Sequence, residues 1–169
     1  MDKAHHSSAK EAKMDPTNIA VIGSSGAIGR ALADEAARRF PAARLTRFSR
    51  SMDHRIDYED EGSLAQAATL AAEAGPLDLV LVATGILHDG ETKPERALRE
   101  LSAEKFQQLF TANCITPALI AKHFLPTMRR DGPALFMALS ARVGSISDNR
   151  LGGWYSYRAS KAALNMVIK

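Results

Sequence analysis

Residues 18–29 read NIAVIGSSGAIG, and this stretch decides the fold. Asn18 to Ile22 is a short apolar run, which suits a strand buried on both faces. Glycines follow at Gly23, Gly26 and Gly29, and the chain then takes helical spacing, with Ile28, Leu32, Ala36 and Phe40 on one face before Pro41 ends it. A glycine turn between strand and helix lets backbone amides close on a pyrophosphate, and the helix N-terminus adds partial positive charge. The last glycine lets helix and strand pack closely. Gly23, Ser24, Ser25, Gly26, Ile28 and Gly29 are therefore candidate cofactor contacts, the plainer alternative being a tight turn with no ligand. No Lys-Ser/Thr pair follows the glycines, so nothing would reach the terminal phosphates or magnesium of a nucleoside triphosphate.

Beyond that stretch, strands and helices alternate. Arg44 to Phe48 reads as a second strand and His54 to Asp57 as a short third. Ser63 to Ala74 reads as a helix capped by Ser63 and stopped at Gly75-Pro76. Residues 77–83, LDLVLVA, form the clearest buried strand. After a polar loop from Gly85 to Arg96, a long helix is predicted from Ser102 to Met128, with Pro117 either kinking it or opening a new helix. A turn at Asp131-Gly132-Pro133, a strand from Ala134 to Leu139, a polar loop from Gly144 to Gly153 and a helix from Ala159 complete the order. That order predicts an α/β fold of the Rossmann type, a doubly wound parallel sheet in three layers. Residues 1–16 read as a polar leader and 17–169 as one domain. The chain stops at Lys169 inside a helix with no cap signal, so the domain is expected to lack its last strands.

Hydrophobic residues make up 46% of the chain and charged residues 24%, the balance of a globular domain. The net charge of +3 comes from scattered arginines, a weak basis for nucleic-acid binding. A single cysteine, Cys114, makes no internal disulfide and suits the cytoplasm; in the long helix it reads as a small core residue. No stretch approaches the roughly 20 apolar residues of a membrane span. His5-His6 belong to the leader, and His88 and His123 read as surface or packed residues. No metal site is expected.

The choice of dinucleotide turns on the end of the second strand. NAD binders usually carry an acid there, about 20 residues past the glycines, for the ribose 2′-hydroxyl. Here the chain reads TRFSRS over 46–51, with two arginines and no acid. A guanidinium pairs with a 2′-phosphate that a carboxylate would repel. NADP(H) is therefore favoured over NAD(H), with Ser49 and Arg50 as contacts and Arg47 as the alternate.

Residues 154–161, WYSYRASK, place Tyr157 and Lys161 four apart, on one face of a helix. An ammonium beside a phenol lowers its pKa and makes it a usable general acid. With the glycine turn far upstream, this pair resembles the short-chain dehydrogenase/reductase family, in its C-factor-like and sniffer-like carbonyl reductase branch. The likeness runs from Asn18 to the end and is densest over YSYRASKAALN, residues 155–165. It implies an oxidoreductase in which Tyr157 protonates a carbonyl oxygen as hydride arrives from the nicotinamide. Lys161 would tune the tyrosine and bind the nicotinamide ribose. Asn113 would hold a water linking lysine to solvent, or else satisfy backbone groups near Pro117. Asp57 would contact adenine, or close an Asx turn of its own. Ala83, Thr84 and Gly85 stand where the family has Asn-Ala-Gly.

Three departures accompany the likeness. The glycines are spaced GxxGxxG where most short members have GxxxGxG. Thr84 offers only a hydroxyl where the family's asparagine bridge is lost. The catalytic serine, three residues before a glycine, falls on Ala141 when counted from Gly144. Ser140 is the candidate if the strand has ended or bulged by then, with Ser145 and Ser147 in reserve. The expected partner is a small carbonyl or alcohol, with no nucleic acid and no membrane. A homo-oligomer through the long helix and the Tyr/Lys helix is expected if the domain is complete. The alternatives are a non-catalytic dinucleotide-binding module and an inactive fragment of such an enzyme. Without a sixth strand, the strand from Ala134 is expected to leave an open apolar edge and the cofactor to bind weakly.

Overall fold

The computed structural model describes residues 14–51, 54–88, 90 and 93–169. Five parallel strands form one sheet in the order β3-β2-β1-β4-β5: β1 (Asn18–Ile22), β2 (Arg44–Ser49), β3 (His54–Arg55), β4 (Leu79–Val82) and β5 (Leu135–Ala138). Every residue of β1 and β4 is buried, as their unbroken apolar runs require. Chain order reverses between β1 and β4, which opens a crevice beyond their carboxyl ends. Ile22 pairs with Phe48 and Val82, and Val82 with Ala138. Gly23, Ser49, Ala83 and Leu139 therefore leave the central strands at one level.

Helices cover both faces. Helix α1 (Ala27–Arg39) packs Ala33 and Ala36 against Ile19, Val21, Leu79 and Leu81. On the opposite face, α2 (Glu61–Ala71) and α4 (Thr116–Phe124) pack Leu64, Ala67, Ile120 and Phe124 over Ala20, Ile22, Val80 and Val82. The buried stripe of α1 is Gly29, Ala33 and Ala36; Ile28 is 61% exposed, one step off the stripe its spacing suggested. At the far end of the sheet, Asp78 accepts from the Thr17 and Asn18 amides at 2.7 and 3.0 Å, from the Thr17 hydroxyl at 2.8 Å, and from Arg129. Burial alone would raise its pKa, but these donors outweigh it and hold the carboxyl at about 2.

Several boundaries differ from the sequence expectations, each for a local reason. Helix α2 starts earlier, because Asp60 rather than Ser63 caps it by accepting from the Gly62 amide at 2.9 Å. The Ser63 hydroxyl instead accepts from the Asp57 amide at 2.9 Å. β3 is only two residues long, and Asp57 lies beyond it. The long helix is not continuous. Ser102 caps α3 (Ala103–Phe110), accepting from the Lys105 amide at 3.2 Å; a π-helical turn occupies Thr111–Ile115; and α4 follows with Pro117 in its first turn, so the proline opens a helix rather than kinking one. α4 ends at Phe124, short of Met128, and passes into a turn of 3₁₀ helix over Leu125–Thr127. The last helix, α5 (Tyr155–Ile168), begins four residues before the expected Ala159, after Trp154 in the left-handed region at φ 50°.

Of the predicted leader, residues 1–13 lie outside the described residues, while Met14 packs on the α1 face and Pro16 is buried. β5 has no partner on its outer side among the described residues, and Leu135 and Met137 are 43% and 46% exposed there, the open edge that was expected.

Candidate active site

The phosphate turn is fixed by close packing. The Gly23 amide donates to the Phe48 carbonyl at 2.9 Å, and Gly26 N to Gly23 O at 3.2 Å. Gly23 has φ +86°, and a Cβ there would stand 2.9 Å from the Ala83 carbonyl carbon; one on Gly29 would stand 2.1 Å from the Gly23 oxygen. Neither position tolerates a side chain, so the turn lies flat against the end of β4. Ser24 is buried, with its hydroxyl on the Phe48 carbonyl at 3.0 Å, whereas Ser25, Gly26 and Ile28 are exposed at the start of α1.

A cleft of about 220 Å³ opens beside this turn, lined by Gly23, Ser25, Gly26, Arg50, Ala83, Thr84 and Gly85 from the predicted set. It is also lined by Tyr58, Ile86, Ala112 and Thr116, which sequence reading missed. Ala112 and Thr116 flank Asn113 on one helical face, a signal available once Asn113 is taken as a site residue. Tyr58 carries no motif; it follows Asp57 directly. Arg50 makes no ion pair among the described residues, whereas Arg47, the alternate, is bound to Asp34 of α1 at 3.0 Å. Ser49 faces the interior, 1% exposed, its hydroxyl accepting from the Ser51 amide at 3.3 Å. Asp57 closes the Asx turn weighed against its adenine role, accepting from the Glu59 amide at 3.0 Å.

The cleft fits a dinucleotide in two respects. Its floor admits backbone only, as the clashes at Gly23 and Gly29 show. Two hydroxyls among its lining residues, Tyr58 OH and Thr84 Oγ1, are buried with no hydrogen bond of ordinary geometry to protein. Burial raises the Tyr58 phenol to about 12, with Arg50 and the Gly23 amide offsetting part of the rise. It stays a donor throughout the physiological range.

Asn113 and Lys161, which do not themselves line the cleft, converge on Gly85, which does. Asn113 is fully buried; it accepts from the Ile86 amide at 2.8 Å, donates to the Ile86 carbonyl at 2.8 Å and reaches the Ser160 hydroxyl at 3.2 Å. It thus ties the loop after β4 to α5, and its backbone partners lie in that loop rather than near Pro117. Gly85 has φ +146°, and a Cβ there would stand 2.9 Å from Asn113 Oδ1 and 3.2 Å from Lys161 Nζ. The π-helical turn makes this convergence possible: an extra residue in the turn swings Asn113 out of the α-helical register and toward the loop.

Tyr157 and Lys161 share α5 as expected, but the ammonium does not act on the phenol as expected. Lys161 is 3% exposed and donates to the Leu139 carbonyl at 2.8 Å. Burial lowers its pKa. The Tyr157 pKa is raised, not lowered, and burial is the cause. Ser140 is exposed and donates to Asn165 Oδ1 at 2.5 Å, in a hollow with Ala138, Leu164 and Ile168 on the β5 side of α5 rather than in the cleft. β5 ends at Ala138, before Ser140, so the condition set for this serine is met, yet its hydroxyl is taken by Asn165. Ser145 and Ser147 stand 3.3 Å from each other in the following loop. Ala141 precedes a 3₁₀ turn whose Gly144 lies against Lys161, and at the position expected for serine there is no hydroxyl. Cys114 is a buried core residue, His88 is exposed, and His123 sits 2.9 Å from Glu61.

A family model described as enoyl-(acyl carrier protein) reductase matches residues 9–169. The chain belongs to the short-chain dehydrogenase/reductase family. It is 30% identical over 95 residues to the C-signal protein of Myxococcus xanthus, covering 56% of this chain and 54% of that one. It is 31% identical over 136 residues to the 1-hydroxy-2-glutathionyl-2-methyl-3-butene dehydrogenase of a Rhodococcus species, covering 78% and 55%. It spans about half the length of these curated relatives. The NADPH-bound carbonyl reductase from chicken fatty liver shares the fold, with a TM-score of 0.74, 21% identity, and coverage of 91% of this chain and 72% of that one. No helix of the described residues is long and apolar enough to cross a membrane, and no cluster of ligating side chains there could hold a metal.

Proposed function

We propose that the chain is the cofactor-binding part of an NADP(H)-dependent oxidoreductase that moves hydride between the nicotinamide and a small carbonyl or alcohol. The observation that carries this is the convergence of Asn113 and Lys161 on Gly85, with Tyr157 one helical turn before Lys161. The cofactor supplies the hydride. The protein's part is to bind it and move a proton. Gly23, Ser25 and Gly26 would hold the pyrophosphate on backbone, with Gly29 and Ile28 at the start of the helix behind them, and Arg50 would pair with the 2′-phosphate. Tyr157, its pKa raised, is a protonated phenol at neutral pH and is ready to donate to a carbonyl oxygen. The proton that this phenol would supply is the one taken up in carbonyl reduction. Its rate should hold steady through neutral pH and fall only above the ordinary tyrosine value of about 10, while alcohol oxidation should rise toward that pH. A homo-oligomer would form along α3 and α5, where Phe106, Phe110 and Ile115 line an apolar hollow on the α3 side.

NADPH fluorescence titration, followed by consumption with a generic quinone or aldehyde, tests the reading. The expected result is tighter binding of NADPH than NADH, binding that persists in Tyr157→Phe, and turnover that does not. Equal affinity for both coenzymes removes the Arg50 argument. Binding without turnover in either form leaves a non-catalytic dinucleotide-binding module, the second reading, which the missing hydroxyl at Ala141 and the Ser140–Asn165 bond favour.

A further inference from the structure

Glu95 is completely buried, although Lys93 and Arg96 beside it are exposed. A carboxylate is taken out of water only where donors meet it. Here the Ser156 hydroxyl donates to Oε1 and the Lys105 ammonium stands 3.9 Å from the same oxygen, while Oε2 is buried without a hydrogen bond among the described residues. The Glu95 main-chain carbonyl accepts from the Trp154 amide at 2.6 Å. One residue therefore grips α5 twice, at 154 through backbone and at 156 through side chain, just ahead of Tyr157. Helix α5 has no cap of its own: Trp154 makes no side-chain cap bond, and the first turn carries no acid. Amides at a helix start need acceptors from elsewhere, and the Glu95 main-chain carbonyl supplies one to Trp154 from a distant loop. The Trp154 backbone is held at φ 50°, costly for a bulky residue, and its ring meets the Tyr157 ring edge-on at 6.3 Å between centroids.

We propose that Glu95 is a positioning residue for Tyr157: by holding Trp154 and Ser156 it sets the first turn of α5 and the direction of the phenol, without touching the reacting atoms. The proposal rests on Tyr157 being the proton donor. A glutamate that merely stabilised the fold would weaken every function together; a positioning glutamate separates them.

Glu95→Ala, Ser156→Ala and the double variant test this in the whole chain, with turnover, NADPH affinity and the ¹³Cζ-tyrosine resonance of Tyr157 as readouts, the last assigned by Tyr157→Phe. Glu95→Ala should lower kcat about tenfold to a hundredfold while NADPH affinity stays within about twofold. Ser156→Ala should lower kcat less, and the double variant should be no worse than Glu95→Ala, because both changes remove one bond. Glu95→Gln, which keeps an acceptor oxygen, should restore most of the rate. The Tyr157 resonance should move in Glu95→Ala and Ser156→Ala. If Glu95→Ala does not fold, Glu95→Gln and Ser156→Ala carry the comparison. Independent, multiplying losses, or a common fall in kcat, affinity and melting temperature with the resonance unmoved, overturn the proposal. A wild-type chain without turnover defeats the enzyme reading instead, and the Tyr157 resonance still decides the role of Glu95.

Discussion

The middle of the sheet and its β5 edge are built from similar apolar residues and end up in opposite states. In β1 and β4 every side chain is buried and each strand has a neighbour on both sides. In β5 exposed residues alternate with half-buried ones. The glycine turn and Gly85 hang from the middle, where a Cβ on Gly23, Gly29 or Gly85 would stand about 3 Å or less from neighbouring atoms. Ser140, Ala141 and the loop to Gly153 hang from the edge, where the expected serine chemistry is missing. The contrast shows that the cofactor end of this fold is over-determined by packing, whereas the substrate end depends on what a few individual residues happen to be.

If that contrast holds, the largest effect should come from the middle. Gly29→Ala puts a Cβ 2.1 Å from the Gly23 carbonyl oxygen, so strand and helix must part. A loss of about 3 kcal/mol or more in urea unfolding is expected, together with NADPH binding. An unchanged unfolding midpoint would break the comparison outright. The next effect lies at the opposite end of the central strands. Asp78 has its folded pKa depressed to about 2 from 3.8, so its contribution is complete above pH 4 and disappears as pH falls through 2. It amounts to roughly 2 kcal/mol. Acid unfolding of Asp78→Asn should lack that component; a variant with the same pH dependence as the wild type would show that the Asp78 network contributes nothing. The smallest effect belongs to the edge. Lysines at Leu135 and Met137, already 43% and 46% exposed, should change stability by less than about 0.5 kcal/mol and reduce self-association in sedimentation. A large loss there would mean that the edge is packed after all.

Much of this was legible in the sequence. The parallel order, the glycine turn, the level of Ala83–Gly85 and the meeting of Asn113 with Lys161 follow from period, turn chemistry and the family likeness. What escaped reading depended on contacts between distant segments. Asp60 displaced Ser63 as the α2 cap because Ser63 was taken by the Asp57 amide. Glu95 lies in the polar loop from Gly85 to Arg96, and its buried partner, Ser156, is 61 residues on. Tyr58 and Thr116 reach the cleft only because the sheet brings β3 and α4 to its rim. The influence of Lys161 on Tyr157 was inferred from spacing alone, and the Leu139 carbonyl, outside the helix, redirected the ammonium.

The π-helical turn at Thr111–Ile115 makes chain length itself a constraint. The Thr116 amide bonds to the Thr111 carbonyl five residues back, so the segment carries one residue more than a plain helix would use. Removing one of the neighbours of Asn113 there would regularise the helix and leave α4 in phase with the sheet, but it would return Asn113 to α-helical register. Asn113 would then lose the Ile86 loop or Ser160. Point substitutions of Thr111, Ala112 or Ile115 should therefore be tolerated far better than a one-residue deletion anywhere among them.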